Sequence, residues 1–485
     1  MTSSSPVGLG RVRGTLDPQN RQFFGTSFRP ILCIVHGRKR SVPAPLGGSR
    51  VDMRATRRSH RRVGAALSGA LSAGLVLGLL AGTGSATGTE SATGTGAARS
   101  RVTPAVSLPP IRHVFVIMLE NEDYSQTFGD PGADPYLATT LRDQGALLKN
   151  DYAVGHFSLD NYIALISGQP PNKDTQGDCF LYSNYVGFTA GQENGIQQGQ
   201  GCVYPSVIET LPDQLDAAGF TWKGYMEDMG NDPARDGGTV CAHPTLGDSD
   251  SAVFAEASSD SVPDGDGYAT RHDPFVYFES ITDDTTECDQ DVVPLGTTSG
   301  AMPAGTPAGV TGLASDLQSA STTPNFSWIT PNLCDDGHDY PCTNEPTPGS
   351  SAVADVDDFL ETWVPIIEAS PAFEEDGLLE ITWDEAEDPH LDTRACCGEQ
   401  PGPGAITNKK GKPENGLSGP GGGRVGALLI SPYVTAGKTV KTKLNHYSSL
   451  ATIEDIFGLA RLASAQTVKT NFDTVFNSTP VWPPG

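Results

Sequence analysis

The sequence predicts an α/β fold: a doubly wound, mostly parallel sheet flanked by helices, in a single catalytic domain over residues 111–470. Two observations support this prediction. Apolar segments of strand length alternate with segments whose apolar residues recur at helical spacing, which is the pattern of a parallel sheet with crossover helices. The first of these segments is also apolar at six consecutive positions, 114–119, as expected of a strand covered on both faces.

The first 110 residues do not fit a folded domain. Residues 1–52 are rich in Arg, Ser, Pro and Gly, and we interpret them as a mis-called extension that precedes the true start at Met53. Residues 53–87 are cationic, then apolar, then small, the order of a secretory signal, and their Arg pairs leave a twin-arginine route open. Residues 88–110 favour a flexible linker. We therefore expect a secreted protein without stable membrane insertion after signal removal; a membrane anchor that holds it at the cell envelope is the alternative.

The chain beyond this segment is strongly acidic. The full sequence of 485 residues has a net charge of −26. Residues 1–101 hold 15 of the 32 Lys and Arg residues and 3 of the 58 Asp and Glu residues, which leaves 17 cationic and 55 acidic residues, a net charge of −38. Such a surface repels nucleic acid and anionic membranes. It suits divalent cations or a saline exterior, or it simply keeps a secreted protein in solution.

Eight cysteines follow residue 101, at positions 179, 202, 241, 288, 334, 342, 396 and 397. An even number beyond an export signal favours disulfides in an oxidising compartment. Short loops favour the pairs Cys179 with Cys202 and Cys334 with Cys342. A zinc site is disfavoured because the sequence has no paired C-x-x-C spacing.

The predicted elements follow from apolar runs and their spacing. Strands are predicted at 114–119, 220–226, 326–330, 378–383 and 425–430. Helices are predicted from Ser158 to about Gly168, at 206–219, at 356–369 and after Ser448. The segment 289–324 is rich in Gly, Thr, Ser and Pro and is long for a loop, so we expect a lid or a disordered insert there. A Gly- and Pro-rich loop is predicted at 386–424.

Three predicted strands are followed by side chains that bind hard metal ions. These are Glu120 and Asn121, then Asp335 and Asp336 with His338, and finally Asp384 and Glu385. His446 precedes the last helix. Because ligands bind at the carboxyl ends of strands in such sheets, these residues predict a site for one or two divalent cations. Each residue taken alone also fits a turn or a helix cap, and that alternative stays open.

Ser158 is the candidate nucleophile. It lies at the start of a predicted helix, where the positive helix end and free backbone N–H groups suit an anion. A hydroxyl at that position beside acidic metal ligands outlines a phosphate-ester site. The alternative is that Ser158 only caps the helix.

At these positions the chain resembles the bacterial phosphoesterase family that includes acid phosphatases and non-haemolytic phospholipases C, within the alkaline-phosphatase-like superfamily. The matching segments are 113–121, 156–162, 271–275, 329–339, 382–385 and 446–448, in the family's order. The opening strand and the Asp-Gly-His-Asp sequence at 336–339 are the most specific of them. The resemblance covers about residues 111–460.

The resemblance implies a doubly wound fold with a metal-assisted Ser or Thr nucleophile. Carried onto this chain, it implies the catalytic residues Ser158, His272 and His338 and the phosphate-binding residue Asn161. It also implies a set of metal ligands: Glu120, Asn121, Asp336, Asp384, Glu385 and His446. The wider superfamily has Asp-His where Asp384 and Glu385 stand, so the number of metal ions stays open. In the implied mechanism Ser158 attacks phosphorus in line, His338 or a water helps the alcohol leave, and water hydrolyses the phosphoserine.

We therefore expect a secreted, metal-dependent phosphomonoesterase of the acid-phosphatase type, with a phosphate ester as its substrate. One alternative is a phospholipase C that cleaves phospholipid head groups, although residues 386–392 replace the segment typical of that branch. The other is a non-catalytic surface protein that binds cations, because a net charge of −38 is by itself sufficient to attract them. A sulfatase is disfavoured because Ser158 is not followed by the x-Pro-x-Arg element of that class.

Overall fold

A computed structural model describes residues 108–132, 134–187, 193–249, 267–340, 351–387, 390–402, 408–410, 416 and 420–481. These residues all fall within one compact unit that extends from Ala98 to Gly485. The predicted extension 1–52, the predicted signal 53–87 and the linker up to residue 107 lie outside the described residues and stay predictions. No helix in the described part of the chain is long and apolar enough to span a bilayer.

An eight-stranded sheet forms the centre of the fold. Its strands are β1 (His113–Leu119), β2 (Ala146–Tyr152), β3 (Trp222–Met226), β4 (Val292–Pro294), β5 (Phe326–Thr330), β6 (Gly377–Trp383), β7 (Ala427–Ile430) and β8 (Lys438–Asn445). They are arranged in the order β4-β3-β5-β1-β6-β7-β2-β8. Only β7 runs antiparallel to its neighbours β6 and β2, and the other pairings are parallel. The predicted mostly parallel α/β sheet is confirmed.

In the described part of the chain, six α-helices of six or more residues accompany the sheet. They are α1 (Ser158–Ser167), α2 (Leu211–Ala218), α3 (Thr285–Asp291), α4 (Ala352–Glu368), α5 (Pro371–Asp376) and α6 (His446–Phe457). A π-helix spans Tyr136–Leu141. Shorter helical segments are Arg142–Gln144, Thr175–Gly177, Glu193–Gly195, Pro233–Asp236, Thr270–His272, Pro274–Tyr277, Glu279–Thr282, Leu313–Asp316, Ala463–Thr467 and Phe472–Val475. The helix α2 begins after Thr210, which forms a capping box with Asp213. The predicted start at residue 206 is therefore too early, since this cap fixes where the helix begins.

Both faces of the sheet are buried at its central strands. Along β1, Val114 and Val116 pack into one apolar cluster together with residues of α1, α2 and α6. Phe115 and Ile117 point to the opposite face and pack with residues of α4 and α5. Because side chains alternate along a strand, an uninterrupted apolar strand requires this double cover. The continuous apolar run at 114–119 is thereby explained.

The sequence patterns did not predict three of the strands, and one segment that was predicted as a lid or a disordered insert is ordered. The strands β2, β4 and β8 carry polar residues or are too short to form an apolar run. The segment 289–324 contains β4 and the helical turn Leu313–Asp316, and Leu313 is fully buried. The expectation of a lid or a disordered insert there is wrong, because parallel pairing of β4 with β3 fixes the segment to the sheet.

The described cysteines form disulfides. The predicted pair Cys179–Cys202 is confirmed. Cys241–Cys288 and the adjacent pair Cys396–Cys397 are also bonded. The predicted pair of Cys334 with Cys342 includes a position outside the described residues and stays a prediction.

Candidate active site

Two central strands bring the first acidic residues together. In the register of β1 and β6, Leu119 lies opposite Trp383, so the residues that follow them, Glu120 and Asp384, emerge side by side. Both are fully buried. The backbone N–H of Asn121, which has a left-handed conformation with φ of 54°, donates to Asp384 Oδ1 at 3.0 Å.

Ser158 faces this pair. It is the first residue of α1 and follows Phe157, whose φ of 80° turns the chain sharply into the helix. Its hydroxyl donates to Glu120 Oε2 at 2.8 Å. Ser158 is therefore a helical residue whose hydroxyl points to the acidic side chains, and it does not act as the helix cap.

Asn161 holds the loop that precedes Ser158. Its Oδ1 accepts hydrogen bonds from the N–H groups of Val154 at 2.9 Å and Gly155 at 3.2 Å. Its Nδ2 donates to the carbonyl oxygens of Gly155 at 3.0 Å and Phe157 at 3.1 Å. These four bonds occupy both polar atoms of a fully buried amide. This geometry favours a positioning role over the phosphate contact expected from the sequence.

Glu385 also contacts the loop before Ser158. Its Oε1 accepts from the N–H of Phe157 at 2.9 Å, and its Oε2 contacts Nδ1 of His156. His156 is held from its other side, since its Nε2 lies 2.8 Å from the carbonyl oxygen of Asp392. Both carboxylate oxygens of Glu385 are therefore engaged by the protein, whereas a metal ligand keeps an oxygen for the ion.

The start of α1 is less open to an anion than the sequence indicates. The N–H groups on either side of Ser158 donate to carboxylates: Phe157 to Glu385, and Leu159 to Asp178 Oδ1 at 3.0 Å. The positive end of the helix thus already has two acidic partners. The expectation of free N–H groups beside Ser158 is wrong for these two positions, because distant loops supply acceptors that no local pattern reveals.

His272 lies between two carboxylates. Its Nδ1 is 3.1 Å from Asp336 Oδ2, and its Nε2 is 3.5 Å from Glu120 Oε1. The ring of Tyr162 stacks on it with an interplanar angle of 7°. With Nδ1–H donated to Asp336, Nε2 presents a lone pair to Glu120, so two acceptors face each other.

His338 extends the group toward solvent. Its backbone N–H donates to Asp336 Oδ1 at 2.8 Å, and its Nδ1 is 2.8 Å from Asp339 Oδ1. Its Nε2 lies 3.4 Å from an Nη atom of Arg271, a residue that is almost fully buried. The guanidinium of Arg271 therefore places a buried positive charge beside the site.

Charge repulsion and burial shift the titration of these groups. Burial, with Asp384 and Asp336 close by, raises the pKa of Glu120 well above its ordinary value. Burial raises the pKa of Asp384 to about 6. Burial, reinforced by Arg271 and His338, lowers the pKa of His272 well below its ordinary value. Burial is the largest cause of all three shifts, so these groups lie in a dehydrated site where the charged form of each is disfavoured.

The remaining predicted ligand, His446, lies behind Asp384. Its Nε2 is 2.6 Å from the backbone carbonyl oxygen of Asp384, not from the carboxylate. Burial lowers the pKa of His446 to about 4, so the ring is neutral and can donate to that carbonyl. The contact fixes the backbone of Asp384, and it places His446 as a support for the cluster.

The residues fit a cation. Glu120 Oε1, Asp384 Oδ2 and His272 Nε2 are buried acceptors without a hydrogen-bond partner. One ligand atom from each of Glu120, His272 and His338 lies within 4.8 Å of the others. Asp336 contacts the second ring nitrogen of His272, as carboxylates do behind metal-binding histidines. A divalent cation would satisfy the orphaned acceptors and offset the clustered negative charge.

Four residues of this site were missed by the sequence reasoning. His156, Asp178 and Asp392 hold Ser158 or its supports, and Arg271 adds a buried positive charge. Arg271 and His156 lie inside the segments that carry the family resemblance, which was the available signal for them. Asp178 and Asp392 lie in irregular loops, where the local sequence gives no indication of their contacts.

Comparison with known proteins finds a family model and several relatives that match this chain. A model of the Phosphoesterase family matches residues 132–460. The chain is 23% identical over 374 residues to the phosphatidylinositol-3-phosphatase of Mycobacterium tuberculosis, which covers 77% of this chain and 86% of that protein. It is 26% identical over 315 residues to the phosphate-repressible acid phosphatase of Penicillium chrysogenum, covering 61% of this chain and 58% of that enzyme.

A solved structure from Vibrio parahaemolyticus, described as a protein in the alkaline phosphatase superfamily, aligns with a TM-score of 0.40 and 13% identity. The alignment covers 74% of this chain and 70% of the other. The chain thus spans most of the mycobacterial relative but little more than half of the fungal one.

Proposed function

Because the chain belongs to the Phosphoesterase family, and is thereby a hydrolase acting on phosphoric ester bonds, we propose that it hydrolyses phosphate monoesters with Ser158 as nucleophile. The observation that carries this proposal is the hydrogen bond of 2.8 Å from Ser158 Oγ to Glu120 Oε2. It joins a hydroxyl on a rigid, buried helix to a group that can accept its proton.

The first step is attack of Ser158 Oγ on phosphorus. Glu120 Oε2 takes the hydroxyl proton, while Asn161 and Glu385 hold the loop that aims the oxygen. The guanidinium of Arg271 offsets charge on the phosphoryl oxygens. The bond from phosphorus to the ester oxygen breaks, the leaving oxygen takes a proton from solvent to become the alcohol, and a phosphoserine remains. A water then attacks phosphorus, its oxygen leaves with the phosphate, and one of its protons restores the hydroxyl of Ser158.

Glu120 Oε1, His272 and His338 would hold a divalent cation, and Asp384 would add its unpartnered Oδ2. When bound, the cation would polarise a phosphoryl oxygen and stabilise the charge that develops in the transition state. This assigns both histidines to cation binding, whereas the family resemblance implies a catalytic role for them. Asp336 orients the ring of His272 through its Nδ1.

Two further points concern substrate and location. Both relatives carry the names of phosphomonoesterases, a phosphatidylinositol phosphatase and an acid phosphatase, which favours a monoester over the phosphodiester of a phospholipase C. The disulfides Cys179–Cys202 and Cys241–Cys288 support an oxidising, extracellular compartment. A secreted phosphatase fits both observations.

The test is hydrolysis of an aryl phosphate by Ser158→Ala, with Ser167→Ala as the matched control. Ser167 lies at the other end of α1, and its hydroxyl donates to the carbonyl of Ile163. We expect kcat/KM to fall by a factor on the order of 10³ or more in Ser158→Ala and to stay near wild type in the control. Acid-quenched wild-type enzyme should carry one added phosphoryl group on Ser158. An unchanged rate in Ser158→Ala would refute Ser158 as the nucleophile, and absence of hydrolysis by the wild type would favour the non-catalytic, cation-binding alternative.

A further inference from the structure

A cavity of about 450 Å³ opens beside the candidate active site. Two of its wall residues, Asn121 and His338, belong to the site itself. The other wall residues are Glu122, Gln126, Asp130, Gly337, Tyr340, Ser351, Ala352, Val353 and Glu387. The volume is that of a pocket for a small organic group. A group bonded to a phosphate at Ser158 can therefore extend into this space.

The charge of this cavity has one sign. Glu122, Asp130 and Glu387 contribute three carboxylates, and no Lys or Arg is among the described residues of its wall. Asp130 and Glu387 are exposed at the rim. An alcohol with a positive charge would be attracted into such a space, and an anionic one would be repelled.

The carboxylate of Glu122 gives independent support for a cationic occupant. Glu122 is 6% exposed, and its Oε2 is buried without a hydrogen-bond partner. A buried carboxylate oxygen without a partner is unfavourable unless a positive group compensates it. Glu387 differs, because its Oε2 already accepts from Nε2 of Gln126 at 2.7 Å.

An aromatic ring completes the wall. Tyr340 keeps 44% of its surface exposed, which is high for a large ring that lines a cavity. Ammonium groups bind favourably over aromatic faces, and quaternary ammonium groups do so with little cost of dehydration. Carboxylates together with an exposed aromatic ring are the surroundings that suit an alkylammonium group.

We propose that this cavity receives the leaving alcohol of the phosphate ester and selects alcohols that carry an alkylammonium group. The proposal rests on the proposed phosphomonoesterase function and names its substrate class. Glu122 and Glu387 are then specificity-determining residues, and Tyr340 contacts the ammonium group.

The experiment compares two phosphate monoesters of the same shape. One is choline phosphate, and the other is its carbon isostere, in which a quaternary carbon replaces the quaternary nitrogen. We expect the wild-type enzyme to show a kcat/KM for choline phosphate about tenfold higher than for the isostere, because one added positive charge faces the carboxylates. In Glu387→Gln the ratio should fall about threefold, and in Glu122→Gln it should fall further.

The matched control is Asp143→Asn. It changes the net charge by the same amount. Asp143 is exposed and lies just before the first residue of β2, at the end of the strands opposite the site. The ratio of the two kcat/KM values should therefore stay at its wild-type value. Hydrolysis of both esters at equal rates by the wild type would overturn this inference and leave the proposed function intact. A preference that persists in both Glu variants would overturn the assignment to this cavity. Hydrolysis of neither ester, nor of an aryl phosphate, would overturn both proposals.

Discussion

Replacing Asn161 with alanine removes four hydrogen bonds from the loop that precedes Ser158. Each buried hydrogen bond contributes about 1 kcal/mol, and water entering the vacated space offsets part of the loss. We therefore expect the free energy of unfolding to fall by about 3 kcal/mol. The loop includes Phe157 with its positive φ of 80°, so the loss should also displace the hydroxyl of Ser158.

The kinetic consequence separates two roles of Asn161. A displacement of about 1 Å at a nucleophile costs on the order of a hundredfold in rate, so kcat should fall by that factor while KM changes little. Asn161→Asp keeps the two acceptor contacts but places a carboxylate oxygen against the carbonyls of Gly155 and Phe157, and it should be at least as destabilising.

The measurements are urea titration and steady-state hydrolysis of an aryl phosphate. Asn150→Ala serves as control, because the one side-chain hydrogen bond of Asn150, to the carbonyl of Lys441, is exposed. It should cost less than about 0.5 kcal/mol. If Asn161→Ala raised KM and left stability unchanged, the residue would bind substrate, and the positioning role would be refuted.

Three further outcomes are expected. Burial raises the pKa of Glu380 to about 7 from 4.5, so the folded protein keeps a proton that the unfolded chain releases. This stabilisation is fully present below pH 4.5 and is lost as the pH rises through 7. The loss is about 3 kcal/mol, and urea titrations should show it absent in Glu380→Gln; an identical pH slope in the variant would contradict the assignment. Replacing Cys241 and Cys288 together opens a loop with a sequence separation of 47 residues and should cost about 4 kcal/mol in the same assay, whereas a change below about 1 kcal/mol would argue against the bond. Chelation should abolish aryl phosphate hydrolysis and lower the unfolding temperature, and added divalent cation should restore both; full activity in metal-free enzyme would rule out the cation.

The central strands were predictable because their patterns are local. The strand β5 (Phe326–Thr330) has the bounds that its apolar run indicates, and β6 differs from its prediction by one residue. Both lie in the middle of the sheet, where burial on two faces demands apolar residues. The edge strand β8 pairs only with β2 and is largely polar. Its strand conformation therefore depends on pairing with β2, and its composition does not indicate a strand.

The candidate site likewise has some features that the local sequence predicts and others that it does not. The sequence by itself determined that Glu120 and Asp384 lie at strand ends and that Ser158 begins a helix, since each follows from a run of neighbouring residues. Only the tertiary structure decided that Glu385 contacts Phe157 and His156. It also decided that the side-chain amide of Asn161 forms hydrogen bonds to the loop before Ser158. His156 and Glu385 are 229 positions apart. Their contact depends on the order of strands in the sheet, and a residue's local pattern carries no information about which distant loop it will face.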